Sequence, residues 1–157
     1  MFDIIFFNLE NPKKFGFKKT YFFNNPQIKN KIIFAKTLSE AQKFKSQKKL
    51  IVIEEFEIKE EGLISDIIAN KKVCFLIDLS KLIKSYGKRR AFLLSKTRQF
   101  IFQLLKKGAY FAVATFSKEE SELRNSSEIE NIMGLFNLNK KQILNSQEIL
   151  GLYLESS

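Results

Sequence analysis

Arginine is concentrated in one short segment of this sequence, where its chemistry favours the binding of anions. Three of the four arginines, Arg89, Arg90 and Arg98, lie within YGKRRAFLLSKTRQF, and the fourth is Arg124. A guanidinium group is a planar fork of donors that stays charged and matches phosphate or carboxylate oxygens, whereas a lysine ammonium is a point charge. Because lysine supplies nearly all the other positive charge, the arginines mark this segment as a candidate binding site.

The same segment belongs to a longer stretch in which all the charge is positive. Residues 79–118 contain no aspartate or glutamate. Their cations are Lys81, Lys84, Lys88, Arg89, Arg90, Lys96, Arg98, Lys106, Lys107 and Lys118. The net charge of +10 partly reflects a composition rich in Lys, Ile, Asn and Phe, which AT-rich coding would produce, but that bias would not remove every acid from this stretch. The arrangement therefore predicts a surface that attracts a polyanion such as nucleic acid.

A helical projection separates the arginines of this segment into two groups. The predicted core-facing stripe is Leu93, Leu94, Thr97, Phe100, Ile101, Leu104 and Leu105, and the opposite face holds Lys88, Arg89, Lys96, Gln99, Gln103 and Lys107. Arg90 and Arg98 fall within the apolar sector, on either side of Leu94. Each of them either pairs with a carboxylate such as Asp78 or presents its fork to a ligand at the rim of a sheet. We favour the ligand for Arg90, and both interpretations stay open for Arg98.

The remaining aromatic and sulfur-containing side chains are expected to contribute mainly to packing. Tyr86 lies beside the basic residues and is a candidate for stacking on RNA bases. The phenylalanines are predicted to pack in the core. The single cysteine, Cys74, lies inside the apolar run VCFLI and is expected to be buried.

The absence of histidine excludes most catalytic and metal-binding designs from this sequence. No Ser-His-Asp triad, Cys-His pair or imidazole zinc ligand is available, and no glycine pattern resembles a phosphate-binding loop. Asp3 and Asp78 are predicted at strand ends, where they would need a third carboxylate to hold Mg²⁺. We favour a helix cap or an arginine pair for Asp78, and a solvated loop or helix start for the acidic run 54–61. The chain is expected to bind no metal or cofactor itself.

Short apolar runs alternate along the chain with segments that carry helix-capping signals. Strands are predicted at Phe2 to Phe7, Thr20 to Phe23, Lys31 to Ala35, Leu50 to Ile53, Val73 to Asp78 and Ala109 to Thr115, with a weaker candidate at Leu150 to Leu154. Helices are predicted just after Thr37, Ser117, Ser127 and Asn139, each of which is followed three residues later by Glu or Gln. Continuous apolar strands that alternate with helices indicate an α/β fold with a largely parallel sheet covered on both faces.

The length of the chain limits how much of such a fold it can hold. The 157 residues predict one domain, residues 1–157. A full eight-fold barrel usually needs about 250 residues, so only a compact, compressed or incomplete parallel barrel with flanking helices fits. No run approaches the roughly 18 to 20 apolar residues needed to cross a bilayer, and Asp3 and Asn8 interrupt the opening segment. Neither a membrane span nor a signal peptide is predicted, and a cytoplasmic location is expected.

The second half of the chain carries the features of a known family. The order GKRRAFLLSKTRQFIFQLLKKGAYFAVAT and then ELRNSSEIENIMGLFNLNKKQILNSQEIL resembles the archaeal RNase P protein component 3 family, relatives of the eukaryotic thirty-kilodalton RNase P subunit. The matching features are the basic loop Gly87 to Arg90, the helix through Arg98, the strand Ala109 to Thr115, Leu123-Arg124, the turn Leu135 to Leu138, and Ile149-Leu150. The opening MFDIIFFN also resembles the family's first strand. The resemblance covers roughly residues 73–150.

This resemblance implies a protein cofactor of a ribozyme. The implied fold is TIM-barrel-like and related to the polymerase and histidinol phosphatase superfamily, without that superfamily's histidine-rich metal centre. The implied function is to bind and stabilise the catalytic domain of the RNase P RNA, which removes the 5′ leader from precursor tRNA. A second small RNase P protein subunit is the implied protein partner, in a heterodimer or heterotetramer. Precursor tRNA would be contacted indirectly, and Mg²⁺ would be bound through the RNA.

The resemblance also implies roles for the basic residues and leaves two alternatives. Lys88, Arg89, Arg90, Arg98 and Arg124 would contact RNA or set the structure that does, and no side chain would perform the chemical step. One alternative is a metal-dependent phosphoesterase on the same fold, which would use Asp78. The other is a general RNA-binding assembly module without a role in RNase P.

Overall fold

The computed structural model describes residues 1–156 as an α/β protein with parallel sheets and flanking helices. Its strands are β1 (Phe2–Ile5), β2 (Lys19–Phe22), β3 (Ile32–Ala35), β4 (Lys49–Ile53), β5 (Val73–Asp78) and β6 (Tyr110–Ala114). Its helices are α1 (Pro26–Lys29), α2 (Leu38–Ala41), α3 (Leu63–Ile68), α4 (Ser80–Lys84), α5 (Gly87–Lys107), α6 (Ser126–Gly134) and α7 (Lys140–Glu155). Single 3₁₀ turns lie at Pro12–Phe15, Gln42–Phe44, Ile58–Glu60 and Glu120–Glu122. The predicted domain extends to Ser157, which lies outside the described residues.

The strands form two parallel sheets that are linked by hydrogen bonds beyond the end of β6. One sheet pairs β1 with β2, and the other has the order β3-β4-β5-β6. Past β6, the Phe116 N–H donates to the Ile4 carbonyl at 3.0 Å, and the Phe6 N–H donates to the Ser117 carbonyl at 2.9 Å. These bonds place β1 beside the chain that leaves β6. Each apolar run predicted as one of the first six strands forms a strand, and all the pairing is parallel.

Both faces of β1, β4, β5 and β6 are largely buried, which explains why their sequences do not alternate between apolar and polar residues, whereas β2 and β3 expose Phe22 and Phe34. On one face, strand residues such as Ile51, Phe75 and Val113 pack under helices that contribute Ile64 and Ile101. The opposite face forms a second core whose strand residues include Ile4, Tyr21, Ile32, Leu50, Val52, Cys74, Leu76, Ala112 and Ala114. Burial of an aliphatic side chain contributes about 1.5–3 kcal/mol, so hydrophobic residues are favoured at successive strand positions.

Helix α7 lies across the amino-terminal ends of several strands. The Gln147 side-chain oxygen accepts a hydrogen bond from the Phe2 N–H at the start of β1, at 2.9 Å. The Tyr153 hydroxyl donates to the Lys72 carbonyl just before β5, at 2.8 Å. The Lys31 ammonium, just before β3, donates to two carbonyls at the end of α7. Leu150 and Leu154 join the second core from this side, so α7 closes one end of that core.

Two of the predicted helix starts are confirmed, and two are wrong. Thr37 caps α2, and Asn139 caps α7 through a reciprocal pair of hydrogen bonds with Gln142. The chain after Ser117 forms only a 3₁₀ turn, because the Ser117 hydroxyl is engaged in a buried network with Thr115. Helix α6 forms but begins at Ser126, two residues earlier than the start predicted just after Ser127, because the side chain of Asn125 is the cap.

The weak strand candidate at Leu150 to Leu154 is also wrong, because these residues are part of α7. The capping box at Asn139 starts a helix that runs without interruption to Glu155. Its buried positions include Ile143, Gln147, Leu150 and Leu154, which recur at the three- and four-residue spacing of one helical face. A helical face of this length outweighs the β propensity of five apolar residues.

Candidate nucleic-acid interface

The arginine-rich segment forms the first turns of α5. Packing and the turn at the carboxyl end of α5 fix the position of this helix. Gly108 follows the helix in the left-handed conformation, with φ of 73°, and its N–H donates back to the last turn. Glycine adopts this conformation without a steric penalty, so the chain can turn directly into β6. Phe100, Ile101 and Leu104 are buried in the core on the face of the sheet opposite the second core. This packing holds the amino-terminal half of α5 at the surface.

The charges at the start of α5 are exposed and are not neutralised by acids in the described part of the chain. Lys88, Arg89, Arg90 and Arg98 are all exposed. The ion pairs formed among residues 1–156 are Lys19–Glu155, Lys45–Asp66, Lys59–Glu57 and Lys84–Glu122. No arginine takes part in an ion pair within that part of the chain. These cations are therefore available to phosphates, and each phosphate contact would make binding sensitive to salt.

Within residues 1–156, Arg98 and Asp78 form no ion pair, although such a pair was one of the two interpretations of Arg98. The Arg98 Nε donates instead to the carbonyl of Leu135, the residue that follows α6. Carbonyls at the end of a helix carry partial negative charge, so a guanidinium stabilises them. Asp78 accepts a hydrogen bond at 2.8 Å from the N–H of Ser80, the first residue of α4, but the N-cap of α4 is Leu79, so Asp78 is not the helix cap. Arg98 therefore fastens the end of α6 to α5.

Arg90 and Arg124 lie on a groove between α4, α5 and α6. The cavity has a volume of about 230 Å³. Its apolar lining is Leu82, Ile83, Leu94, Ile132 and Leu135. The Arg90 Nη2 donates weakly to the Ile83 carbonyl at 3.4 Å, and the Arg124 Nη1 donates to the Glu122 carbonyl at 3.1 Å. Two guanidinium groups from separate elements thus flank one apolar cavity, which we call the arginine groove.

A second cavity, of about 210 Å³, lies at the carboxyl ends of β4 and β5. Its charged lining residues are Glu54, Asp78, Lys81 and Lys96. Acids and lysines are balanced here, so the cavity lacks the single-sign field of the start of α5. Within the described residues, no group of three or more acidic or cysteine side chains is placed to hold a metal ion.

Aromatic side chains fill the space at the carboxyl ends of β1, β2, β3 and β6. Phe6, Phe23, Phe34 and Phe116 contact one another with ring centroids 4.8 to 6.2 Å apart. In parallel α/β folds this end of the sheet usually carries the catalytic residues. Here tilted and edge-on ring pairs occupy the part beside β1, β2, β3 and β6 and stabilise the packing, and the second cavity lies beside β4 and β5 at the same end.

Asp3 occupies a buried position between β1 and the end of β6. One carboxylate oxygen accepts hydrogen bonds from the Ile4 and Thr115 N–H groups at 2.9 and 2.8 Å, and the other lies 2.6 Å from the Thr115 hydroxyl. That hydroxyl is 2.7 Å from the Ser117 hydroxyl. Burial raises the pKa of Asp3 to about 7, although the hydrogen bonds lower it. Both oxygens of Asp3 are thus engaged in joining strands, and Asp3 does not line the second cavity, where Asp78 lies.

Two phenylalanines of α5 face solvent, so the expectation that the phenylalanines pack in the core is wrong for them. Phe92 is 57% exposed and Phe102 is 62% exposed. Gln103, expected on the outer face, is 7% exposed because it lies one turn after Phe100 at the edge of the buried sector. Tyr86 is 84% exposed beside the basic residues, which leaves its ring accessible.

Sequence reasoning missed the wall of the arginine groove that α6 provides. Ile132 and Leu135 line the groove together with Leu94 of α5, from which they are remote in sequence. The helical spacing of α6 indicates that Ile129 and Met133 are buried, as they are. It does not indicate what the neighbouring residues contact, because that depends on how α6 packs beside α5.

Comparison with known proteins leaves the function to be argued from the structure. No protein-family model matches the chain, and no curated protein matches it significantly. No helix within residues 1–156 is long and apolar enough to cross a membrane. The site geometry and the sequence resemblance therefore carry the functional argument.

Proposed function

We propose that this protein is a subunit of ribonuclease P that binds the catalytic RNA and assists it in removing the 5′ leader from precursor tRNA. The observation that carries the proposal is the start of α5, where Lys88, Arg89, Arg90 and Arg98 are exposed and no arginine is paired with an acid in residues 1–156. Cations arranged in this way neutralise phosphates and fix the orientation of an RNA helix without reading its sequence. The chain itself has no catalytic role in this proposal.

We further propose that the strands form an incomplete TIM-barrel-like structure. The spatial order β3-β4-β5-β6-β1-β2 supports it, because every strand lies beside its neighbour in sequence except β2 and β3, and the chain that leaves β6 lies beside β1. The second core would then be the barrel interior. The open side would lie between β2 and β3, where Phe23 and Phe34 meet edge-on at 5.9 Å. Six short strands would suit a chain much shorter than the usual barrel.

The partners follow from the same proposal. The RNase P RNA would occupy the cationic surface of α5, and a second small RNase P protein subunit would complete a heterodimer or heterotetramer with this chain. Mg²⁺ would be held by the RNA, and the chain would bind no cofactor. The exposed Phe92 and Phe102 support the presence of a partner on the outer side of α5, because large exposed apolar side chains are common at interfaces.

Reconstitution tests the proposal directly. Precursor tRNA cleavage is measured with the cognate RNase P RNA and the partner subunit, with and without this chain. We expect the chain to raise the cleavage rate and to lower the Mg²⁺ requirement. Identical rates and Mg²⁺ requirements in its presence and absence would refute the proposal.

Single substitutions separate specific contacts from bulk charge. We expect Arg90→Ala and Arg98→Ala to lower cleavage more than Lys106→Ala, which removes the same charge from the other end of α5. For Arg89→Ala, the slope of log binding constant against log salt concentration should fall by roughly 1, as for a lost phosphate contact. Equal losses for all of these variants would mean that only total charge matters.

The phosphoesterase alternative is tested on the same purified chain. Asp78 already bonds to the Ser80 N–H, and both oxygens of Asp3 are engaged elsewhere, so few carboxylates are free to form a metal site at the strand ends. Phosphatase activity with Mn²⁺ or Mg²⁺ that is lost in Asp78→Asn would favour the alternative over the RNase P proposal.

A further inference from the structure

We propose that the arginine groove binds one unpaired nucleotide of the RNA, with the base in the apolar cavity and the adjacent phosphates on Arg90 and Arg124. This inference rests on the proposed function and adds a class of ligand to it. The start of α5 as a whole would hold phosphates of any sequence. The groove would select RNA in which a base is free to leave its stack.

The size and lining of the groove fit a single planar ring system. Its volume of about 230 Å³ is below the roughly 300–1,000 Å³ of sites for drug-sized ligands. Aliphatic side chains from three helices line it, including Leu82 of α4, Leu94 of α5 and Ile132 of α6. Apolar side chains can hold the faces of a base that has left its stack, and unstacked bases in loops and bulges are the parts of RNA that proteins most often recognise.

The charges around the groove indicate that its ligand is anionic. Arg90 and Arg124 line it, and no aspartate or glutamate does. In residues 1–156 the hydrogen bonds of these two guanidinium groups go to backbone carbonyls alone. A guanidinium beside apolar surface loses hydration, and an anionic ligand restores the lost interaction.

The surroundings of the groove favour RNA over an acidic peptide. Arg90 directly follows Lys88 and Arg89 on the exposed start of α5, and residues 79–118 contain no acid. A peptide with one or two carboxylates would satisfy the groove and leave these neighbouring cations unmatched. A phosphate backbone carries a charge at every nucleotide, so it would continue from the groove along α5.

Arg98 acts in this proposal as a positioning residue. Its bond to the Leu135 carbonyl fixes the end of α6, and Leu135 forms part of the groove wall. Loss of that bond would widen the groove without removing either guanidinium that faces the ligand. We therefore expect Arg98→Ala to weaken binding of an unpaired base more than binding of duplex RNA.

Fluorescence measurements with defined RNA probes test the proposal. The probes are a single strand of about 10 nucleotides with 2-aminopurine near its centre and a fully paired duplex of the same length. The full-length chain is titrated into each probe. With the wild-type chain we expect a change in 2-aminopurine emission with the single strand, because the base leaves its neighbours, and little change with the duplex.

Two variants, Leu94→Phe and Arg124→Ala, weaken the groove by different means. Leu94→Phe fills the cavity without changing charge, and Leu105→Phe makes the same change at an exposed position on α5 as the matched control. Arg124→Ala removes one guanidinium from the groove, so it tests the proposal independently if Leu94→Phe does not fold. We expect Leu94→Phe and Arg124→Ala to weaken single-strand binding at least about 5-fold, as for the loss of one base-stacking contact. Duplex binding by Leu94→Phe should stay at the wild-type level.

The outcomes separate this inference from the proposed function. If Leu94→Phe and Arg124→Ala leave the affinity for the single strand unchanged, the inference is overturned. It is also overturned if Leu94→Phe lowers the affinities for single strand and duplex equally. Preferential binding of an acidic peptide in the groove would also overturn it. If the wild-type chain supports precursor tRNA cleavage in any of these three cases, the proposed function stands without the groove. If reconstitution itself fails, the proposed function falls.

Discussion

We expect the buried carboxyl group of Asp3 to make the stability of this protein depend on pH. The ordinary pKa of an aspartate, 3.8, applies to the unfolded chain, and burial raises the pKa to about 7 in the folded protein. Between these values the folded state binds more protons at Asp3 than the unfolded state does. The stabilisation from this group is therefore fully present below pH 3.8 and is lost as the pH rises through about 7.

The size of the effect follows from the interval between the two pKa values. One pH unit corresponds to about 1.4 kcal/mol. From 3.8 to about 7, the loss of unfolding free energy attributable to Asp3 is therefore about 4 kcal/mol. A loss of this size is a large fraction of the total stability of an ordinary domain, about 5–15 kcal/mol.

Substitution of Asp3 by asparagine isolates this contribution. The amide oxygen of Asp3→Asn can accept the two backbone hydrogen bonds, and its NH₂ group can donate to the Thr115 hydroxyl, so the network is kept without a titratable group. Urea unfolding of both proteins is measured from about pH 4 to about pH 8. The unfolding free energy of Asp3→Asn minus that of the wild type should rise by about 4 kcal/mol over this range.

Glu130→Gln is the matched control for this experiment, because it removes one carboxylate from an exposed position on α6. A pH-dependent difference that Glu130→Gln reproduces in full would come from the loss of a carboxylate as such and not from its burial. A difference for Asp3→Asn that stays constant or falls as the pH rises would refute the reasoning that burial governs this carboxyl group.

Two further predictions concern α7. A Cβ atom at Gly151 would lie 2.7 Å from the Phe2 ring, so Gly151→Ala should lower the unfolding free energy by about 1–3 kcal/mol in urea. Gly134→Ala in α6 meets nothing within 4 Å and should leave stability unchanged or raised, and an equal loss in both variants would contradict the packing argument. Asn139→Ala removes the capping bonds with Gln142 and should cost about 1 kcal/mol in thermal unfolding, whereas an unchanged midpoint would show that the cap contributes nothing.

The parts of the fold that depend on local sequence were predictable. Apolar runs bounded by polar residues predict the first six strands, because a strand buried on both faces needs little else. Capping residues predict the starts of α2 and α7, because a side chain that satisfies free N–H groups acts within three residues. Ser117 shows the limit of this reasoning. Its hydroxyl has the right spacing for a cap, yet a buried partner, Thr115, engages it instead.

The candidate site was predictable in charge but not in shape. The exposure of Lys88 and Arg89 follows from helical spacing, and the acid-free stretch 79–118 predicts unopposed charge there, whereas Arg90 and Arg98 are exposed although the helical projection places them in the apolar sector. The bond from Arg98 to Leu135 does not follow from either, because it depends on the place where α6 ends beside α5. The exposure of Phe92 and Phe102 was likewise missed, because hydrophobicity does not indicate which side of a helix lacks a neighbour.

The sequence by itself determined the class of fold, the location of unneutralised positive charge and the absence of imidazole chemistry. Each of these depends on residue type and on spacing within one element. Only the tertiary structure decided that Arg90 and Arg124 lie at one groove, that Arg98 bonds to the end of α6 and not to Asp78, and that Asp3 is buried between strands. These features join residues far apart in the chain, so they depend on packing geometry and on burial, which no local pattern encodes.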